Sequence, residues 1–395
     1  MKKVPELRFK EFSGEWEERQ LNKIIEISNK KFNPKINLTN QICIELEHIS
    51  SKTGKLLGYI DSNNQESIKN IFMENQIIYG KLRPYLRKYW FTKFNGVCSS
   101  EFWVFNGKQI DNKYLYFFVQ TEKFNQISNI SCGSKMPRAD WNYMSLFKFY
   151  IPDAYEQKKI ALFLSSIDKK IELTDKKLEF LEKYKKGLMQ KLLTGKIRFP
   201  GFNDEWKEEK LGNFIKIQGG YAFKNKLFKE KGIPIIRISN LSIDGKYTNI
   251  NNLVYYDKTE NDNNFIIKGN DLLIAMSGAT AGKVSVYNKK NIAYLNQRVG
   301  LFKLIKFDKL DYNYMTQYAF SNFFNNQLKS LLATSAQPNI SSKDIEKLKI
   351  KLSSLPEQQK IASFLSTIDK KIELVKLRLE NLKRYKKGLL QKMFV

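Results

Sequence analysis

Two stretches of the chain carry a strict apolar rhythm. In Glu156–Lys191 the inward positions step alternately by four and three: Ile160, Leu164, Ile167, Ile171, Thr174, Leu178, Leu181, Lys185 and Leu188. In Glu357–Lys392 the same phase gives Ile361, Leu365, Ile368, Ile372, Val375, Leu379, Leu382, Lys386 and Leu389. Steps of four and three predict a heptad seam on a long helix, the pattern of a coiled coil. A helix of about 38 residues is roughly 57 Å long. Pro152 and Pro356 lie just before the expected helices, where proline does not harm the ladder, and Gly195 is a plausible stop for the first. A lone helix of this kind leaves its stripe in water, so the two are expected to pair. The alternative is that each packs on its own globule, but the stripe is narrower than a globular helix needs. Gly187 and Gly388 fall inside the pattern at some helix cost, which a close approach or a bend would explain.

The rest of the chain has a different texture. Short β-branched runs such as IPIIRIS (Ile233–Ser239) and KVSVY (Lys283–Tyr287), set among turn residues, predict strands. The stretches Glu17–Asp153 and Lys207–Leu355 each read as a mixed α/β globule, and they do not resemble each other closely. Both end in a polar segment with proline, GSKMPRADW (Gly133–Trp141) and SAQPNISSKD (Ser335–Asp344). YLYFFVQ (Tyr114–Gln120) is aromatic at helical spacing and is expected in a core.

The rhythmic stretches are copies of one another. IDKKIEL stands at Ile167–Leu173 and again at Ile368–Leu374, and about two thirds of the surrounding positions agree. A shorter echo, RFKEFSGEW (Arg8–Trp16) and RFPGFNDEW (Arg198–Trp206), precedes each globule. The order is short motif, variable stretch, long repeat, twice over.

Charge narrows the field of partners. Of 395 residues, 68 are Lys or Arg and 40 are Asp or Glu, a net +28. That excess predicts a polyanion, with nucleic acid ahead of an anionic membrane surface. An AT-rich genome would enrich lysine for codon reasons, but the field would remain. Cys43, Cys98 and Cys132 form no metal-binding spacing and suggest a reducing, cytoplasmic setting. The N-terminus has no apolar run that would make a signal peptide, and no apolar stretch is long enough to predict a membrane span.

Chemical motifs fail on inspection. SGATAGKV (Ser277–Val284) lacks the spacing and the hydroxyl of a phosphate loop, and reads better as a basic turn with Lys283 near a phosphate. PDAYEQK (Pro152–Lys158) suggests paired metal-binding carboxylates, but acids at a helix N-terminus explain it better. No Asn/Asp-Pro-Pro-Tyr/Phe run or glycine-rich cofactor loop is present, and His48 is the only histidine. The expectation is a chain that directs catalysts and is not one, with no metal site.

Candidate DNA contacts are basic or amide residues in predicted turns. KLRPYLRKYW (Lys81–Trp90) offers Lys81, Arg83, Arg87 and Lys88, and either arginine could reach a guanine bidentately; a basic surface strand is the alternative. The first proline loop adds Lys135 and Arg138. In the second globule the candidates are Arg237, Ser239, Asn240, Lys283, Asn296, Gln297, Arg298, Gln337 and Asn339. Asn and Gln suit adenine edges, and the cations suit phosphates.

The duplicated EQxKIAxFLSxIDKKIEL helices, their YKKGL(M/L)QK tails and the RFxxFxxEW starts resemble the specificity (S) subunits of Type I restriction–modification enzymes, over essentially the whole chain. The resemblance implies an α+β fold: two mixed α/β target recognition domains separated by two long helices forming an antiparallel coiled coil, as a pseudo-twofold internal repeat. The expected layout is recognition domain 1 at 1–153 with its repeat motif at 5–16, central helix 154–196, recognition domain 2 at 197–355 and C-terminal helix 356–395. Each domain would read half of an asymmetric bipartite duplex site, with the helices setting the gap. The helices would also dock two modification (M) subunits that methylate adenine with S-adenosylmethionine. Restriction (R) subunits, using ATP and magnesium, would join to translocate and cut. The chain ends at Val395, soon after the second helix, so the N-terminal segment is expected to complete the C-terminal half. Two rivals stay open: a self-sufficient methyltransferase–nuclease, and a coiled-coil bridging protein that binds nucleic acid without reading it.

Overall fold

The structure, a computed structural model, describes residues 3–395 apart from 38, 133–135, 242–245, 260–261 and 334–337. The chain divides into two compact units, one made of Met1–Lys176 and Lys376–Val395, the other of Lys177–Val375. The central helix, Ala154–Leu192, and the C-terminal helix, Leu355–Lys392, each contribute to both units. Among the described residues, no helix is long and apolar enough to cross a membrane.

The first unit holds two main sheets. One orders Ile25–Ile27, Phe102–Gly107, Ile77–Gly80 and Tyr89–Phe91; the other orders Lys31–Phe32, Lys69–Phe72, Gly96–Cys98, Ile42–Ile44 and Ile60–Asp61. Glu17–Gln20 pairs with Lys148–Ile151, which delivers the chain to the central helix. Tyr114, Leu115, Phe117 and Phe118 are buried, as their spacing predicts.

The second unit repeats this plan although its variable sequence does not. Ile215–Gly219, Val299–Leu304, Leu272–Ala275 and Val284–Val286 form one sheet; Val254–Tyr256, Ile233–Ile236, Ala293–Leu295 and Ile266–Ile267 form the other. Ile233–Ile236 runs parallel to Ala293–Leu295, as Ile42–Ile44 does to Gly96–Cys98. Lys207–Lys210 pairs with Lys349–Leu352 ahead of the C-terminal helix. The central strands of these sheets are buried along their length, and many different apolar residues can fill them.

The repeated words make the joints between globule and helix. Glu156, at the start of the central helix, is 1% exposed. It accepts from Arg8 Nε at 2.9 Å and Nη2 at 2.7 Å, and from Trp16 Nε1 at 3.0 Å. In the second unit Glu357 accepts the same three bonds, from Arg198 at 2.9 and 2.7 Å and from Trp206 at 3.2 Å. The RFxxFxxEW motif is thus the other half of the helix-start motif. The adjacent glutamines act alike: Gln157 Oε1 accepts from the Asp111 amide and Gln358 Oε1 from the Asp311 amide. Asp153 accepts from the Glu156 amide, the helix-terminal role expected of it.

The seam faces inward. Ile160, Leu164, Ile167, Ile361, Leu365, Ile368, Ile372, Leu379 and Leu389 are buried, and Ile171, Leu178, Leu181, Leu188 and Leu382 are half-buried. In the first unit Ile160, Leu164 and Ile167 share a core with Leu389, Met393 and Phe394. In the second, Met189 and Leu192 share one with Ile361 and Leu365. The two seam lysines each meet an aspartate of IDKKIEL. Lys386 reaches Asp168 at 2.7 Å in the first unit, and Lys185 reaches Asp369 at 2.5 Å in the second.

The glycines in the helix pattern allow no close approach. A Cβ at Gly187 or Gly388 would meet nothing within 4 Å. Gly187→Ala and Gly388→Ala are therefore each expected to raise stability, by up to about 1 kcal/mol, through helix propensity alone. Urea denaturation of each variant checks this, and a loss of stability would show that the glycine serves packing.

Around the first unit the chain's ends meet. The Leu7 amide donates to the Lys392 carbonyl at 2.8 Å, and Lys392 pairs with Glu6. In the second unit the Ile197 amide donates to the Lys191 carbonyl at 3.3 Å. The N-terminal segment therefore follows the C-terminal helix in space as Ile197 follows the central helix in sequence.

Candidate nucleic-acid interface

The candidates converge because strands of both sheets end together. In the second unit Ile233–Ile236 runs into the turn of Arg237, Ser239 and Asn240. Leu272–Ala275 and Val284–Val286 are joined by the hairpin loop 276–283. Asn296, Gln297 and Arg298 turn the chain from Ala293–Leu295 into Val299–Leu304. Backbone bonds lock these turns into one edge: Asn296 amide to Ile236 carbonyl, Met276 amide to Arg298 carbonyl, and Ile340 amide to Met276 carbonyl. Asn339 bridges to Ser277. Ser239, Lys283, Gln297, Arg298 and Asn339 are exposed on this edge, and Arg237 and Asn296 are half-buried.

The first unit builds the same edge with the same bonds. The Ser99 amide donates to the Ile44 carbonyl, Lys81 amide to Glu101 carbonyl, and Ala139 amide to Lys81 carbonyl. Leu82 bridges to Arg138. The correspondence places Glu45 against Arg237, Glu101 against Arg298, and Arg138 against Asn339. The frame is shared and the side chains differ, which a reader of two unlike half-sites requires.

The hairpin loops match residue for residue. Gly80 donates to the Lys88 carbonyl and Ala275 to the Lys283 carbonyl, so Arg83 stands where the second unit has Gly278, and Arg87 where it has Gly282. All four are left-handed, with φ of +52° at Arg83, +76° at Gly278, +49° at Arg87 and +82° at Gly282. Glycine takes that conformation freely, whereas a side chain strains it. Arg87 has an internal reason to be there: its guanidinium forks onto Glu122, with Nη1 to Oε1 at 2.7 Å. Arg83 is exposed and makes no side-chain bond among the described residues. Its backbone is held by the fold, the amide donating to the Pro137 carbonyl at 2.7 Å and the carbonyl accepting from the Leu86 amide at 2.9 Å, while the guanidinium stands in solvent.

Several candidates are spent within the fold. Arg87 cannot offer its fork to a guanine while Glu122 holds it. Lys88 donates Nζ to the Leu46 carbonyl, and burial pulls its pKa below the usual lysine value. Asn240 is buried; its Oδ1 caps the Arg237 amide at 3.0 Å and its amide donates to the Asn249 carbonyl at 3.2 Å. These three hold turns in place. Arg138 is exposed but forks onto Glu101, Nε to Oε2 at 3.0 Å and Nη2 to Oε1 at 2.9 Å, which holds the Glu101 carboxyl below its usual range. Lys135 and Gln337 lie outside the described residues. Sequence reasoning passed over Glu45 and Glu101 because it sought cations.

The loop read as a near-miss for phosphate binding is a hairpin between two strands, and no helix follows to supply amides. Among the described residues no group of three His, Cys, Asp or Glu side chains could hold a metal.

Two unlike α/β units, each clamped to the start of a long helix and each presenting a turn-built edge, define a duplicated recognition protein. The chain matches the Type I restriction modification DNA specificity domain twice, at residues 13–183 and 203–384, and it belongs to that family of specificity subunits. It is similar to the MjaVIII specificity subunit of Methanocaldococcus jannaschii, 29% identical over 296 residues, covering 72% of this chain and 69% of the relative. The EcoDI specificity subunit of Escherichia coli is 32% identical over 149 residues, covering 37% of this chain and 33% of that one. The crystal structure of the S subunit from M. genitalium superposes with a TM-score of 0.64 over 99% of both chains, at 15% identity, which establishes the fold.

Proposed function

We propose that the chain selects the DNA on which a Type I restriction–modification complex acts. Each unit's edge reads one half of an asymmetric duplex site. The observation that carries this reading is the pair of equivalent edges with unlike side chains, Arg83 exposed on one and Arg298 and Asn339 exposed on the other. The two helices act as an antiparallel coiled coil related by a pseudo-twofold axis, and they set the unread gap and dock two modification subunits. Lys386 on Asp168 and Lys185 on Asp369 support opposed helices, because each lysine near one helix's end meets the aspartate nearer the other's start. Adenine methylation with S-adenosylmethionine belongs to those partners, and ATP and magnesium to restriction subunits. The work is done in the cytoplasm.

Mapping modified adenine in the host genome with the gene intact and deleted tests this. Loss of methylation from one split, asymmetric motif is expected. If purified chain and partners bind every duplex alike, with a salt dependence owing only to charge, the chain bridges and does not read.

Arg83 gives a sharper test. Arg83→Gly should stabilise the chain by about 1 kcal/mol by relieving the left-handed backbone. The same change should weaken target DNA by about 1–3 kcal/mol. Urea denaturation beside a duplex titration measures both, and unchanged affinity would return Arg83 to the bare surface.

A further inference from the structure

A groove of about 560 Å³ opens in the first unit below its edge. Its size lies within the ~300–1,000 Å³ of small-ligand sites. Lys81 and Ser100 bring it up to the edge, and Lys31, Lys108, Trp103 and Trp141 line it further in. Lys31 is held by Asn70 at 2.6 Å, whereas Lys81 and Lys108 have no side-chain partner among the described residues. The indoles of Trp103 and Trp141 are half-buried, with centroids 5.8 Å apart and planes at 64°. Asn22 also lines the groove, but its Oδ1 is sealed within the fold. Glu26 is the one carboxylate in the lining.

The second unit has none of this chemistry at the matching places. The shared backbone bonds align Lys81 with Met276, Lys108 with Ile305 and Asn22 with Gly212. Strand register aligns Trp103 with Gly300, and the following helix start aligns Trp141 with Ser342. Five matched positions change from cationic, amide or indole to apolar or small. The second unit builds its frame without them; in the first, Trp103 also stacks on Tyr79 and Phe105, and Trp141 lies against Phe105.

We propose that this groove holds one nucleotide. Its phosphate lies on Lys81 and Lys108 and its ring against the indoles. Aromatic walls beside lysines suit a single unpaired nucleotide, since stacking and phosphate charge act together and neither demands a duplex. The inference rests on the DNA reading only for the nucleotide's source, which is either a strand unpaired beside the first half-site or a free nucleotide.

The test uses the full chain with adenosine monophosphate, a short single-stranded oligodeoxyadenylate and duplex DNA as probes. The oligodeoxyadenylate is expected to quench tryptophan fluorescence. The double variant Lys81→Met, Lys108→Ala should weaken it about tenfold and lower the salt slope by about 0.7, the value for one lost phosphate contact. A control of equal charge, Lys93→Ala with Lys113→Ala, should stay within about twofold. Matching loss with adenosine monophosphate would assign a free nucleotide as ligand, and loss with the oligonucleotide alone would assign a strand. Unmoved fluorescence at saturation, or equal loss in the groove and control variants, overturns the proposal. Duplex titration of the unaltered chain judges the DNA reading separately, because sequence-selective duplex binding can fail while nucleotide binding in the groove persists.

Discussion

Glu357→Ala is expected to destabilise the second unit by about 3–5 kcal/mol, the loss seen when one partner of a buried ion pair is removed. Glu357 is fully buried and accepts three bonds, two from the Arg198 fork and one from the Trp206 indole. Its net worth is smaller than that loss, because burying a carboxylate is itself costly. Alanine leaves the guanidinium, with 23% of its side chain exposed, facing a cavity it cannot hydrate well. Hydrogen exchange read peptide by peptide in the full chain should show faster opening at Lys207–Lys210 and the start of the C-terminal helix. Glu156→Ala should do the same at Glu17–Gln20. If either change costs under about 1 kcal/mol, the clamp orients the joint without holding it together.

Asp369→Ala should cost a similar amount, about 3–5 kcal/mol. Asp369 accepts from Lys185 at 2.5 Å, Lys246 at 2.8 Å and the Gln317 amide at 2.9 Å. Alanine would leave two half-buried ammonium groups side by side. The pH dependence has a definite sign. Burial alone would push the Asp369 carboxyl up, but Lys185, Lys246 and Gln317 together hold it below the ordinary 3.8. A lowered folded value means a stabilisation that is fully present above 3.8 and is lost as the pH falls through the folded value. The stability gap between the unaltered chain and Asp369→Ala should thus be flat at neutral pH and narrow in acid. A gap that widens on acidification would show that the carboxyl is not the charged partner of the two lysines.

The helices were legible because a heptad is written in every residue. Ile160 to Leu188 and Ile361 to Leu389 all face inward, and even the lysines on the seam have work, since each finds an aspartate from the repeated word. The joints were half legible. Arg8, Trp16 and Glu156 were visible as repeated letters, but their meeting depends on more than a hundred intervening residues, which periodicity does not carry. The likeness of the two globules was hidden, because the same strand position can hold Trp103 in one and Gly300 in the other. Turn residues were found by type and could not be sorted by type. Asn240 and Ser239 are neighbours, yet one is consumed by its own turn and the other stands in solvent. Arg83 and Arg87 look alike in sequence, and only Glu122, brought in by the fold, separates them.

The joints ask little of what they join. Each needs an arginine and a tryptophan before the globule, a glutamate and a glutamine after it, and a backbone amide to continue from the preceding helix. The first unit meets that last need with Leu7 on Lys392, the second with Ile197 on Lys191. A globule flanked by those letters fits either socket, whatever its edge reads. Recombination between two such genes at IDKKIEL would exchange one reader for another and leave both sockets intact. A change of target would then be an exchange of whole domains, with neither joint rebuilt.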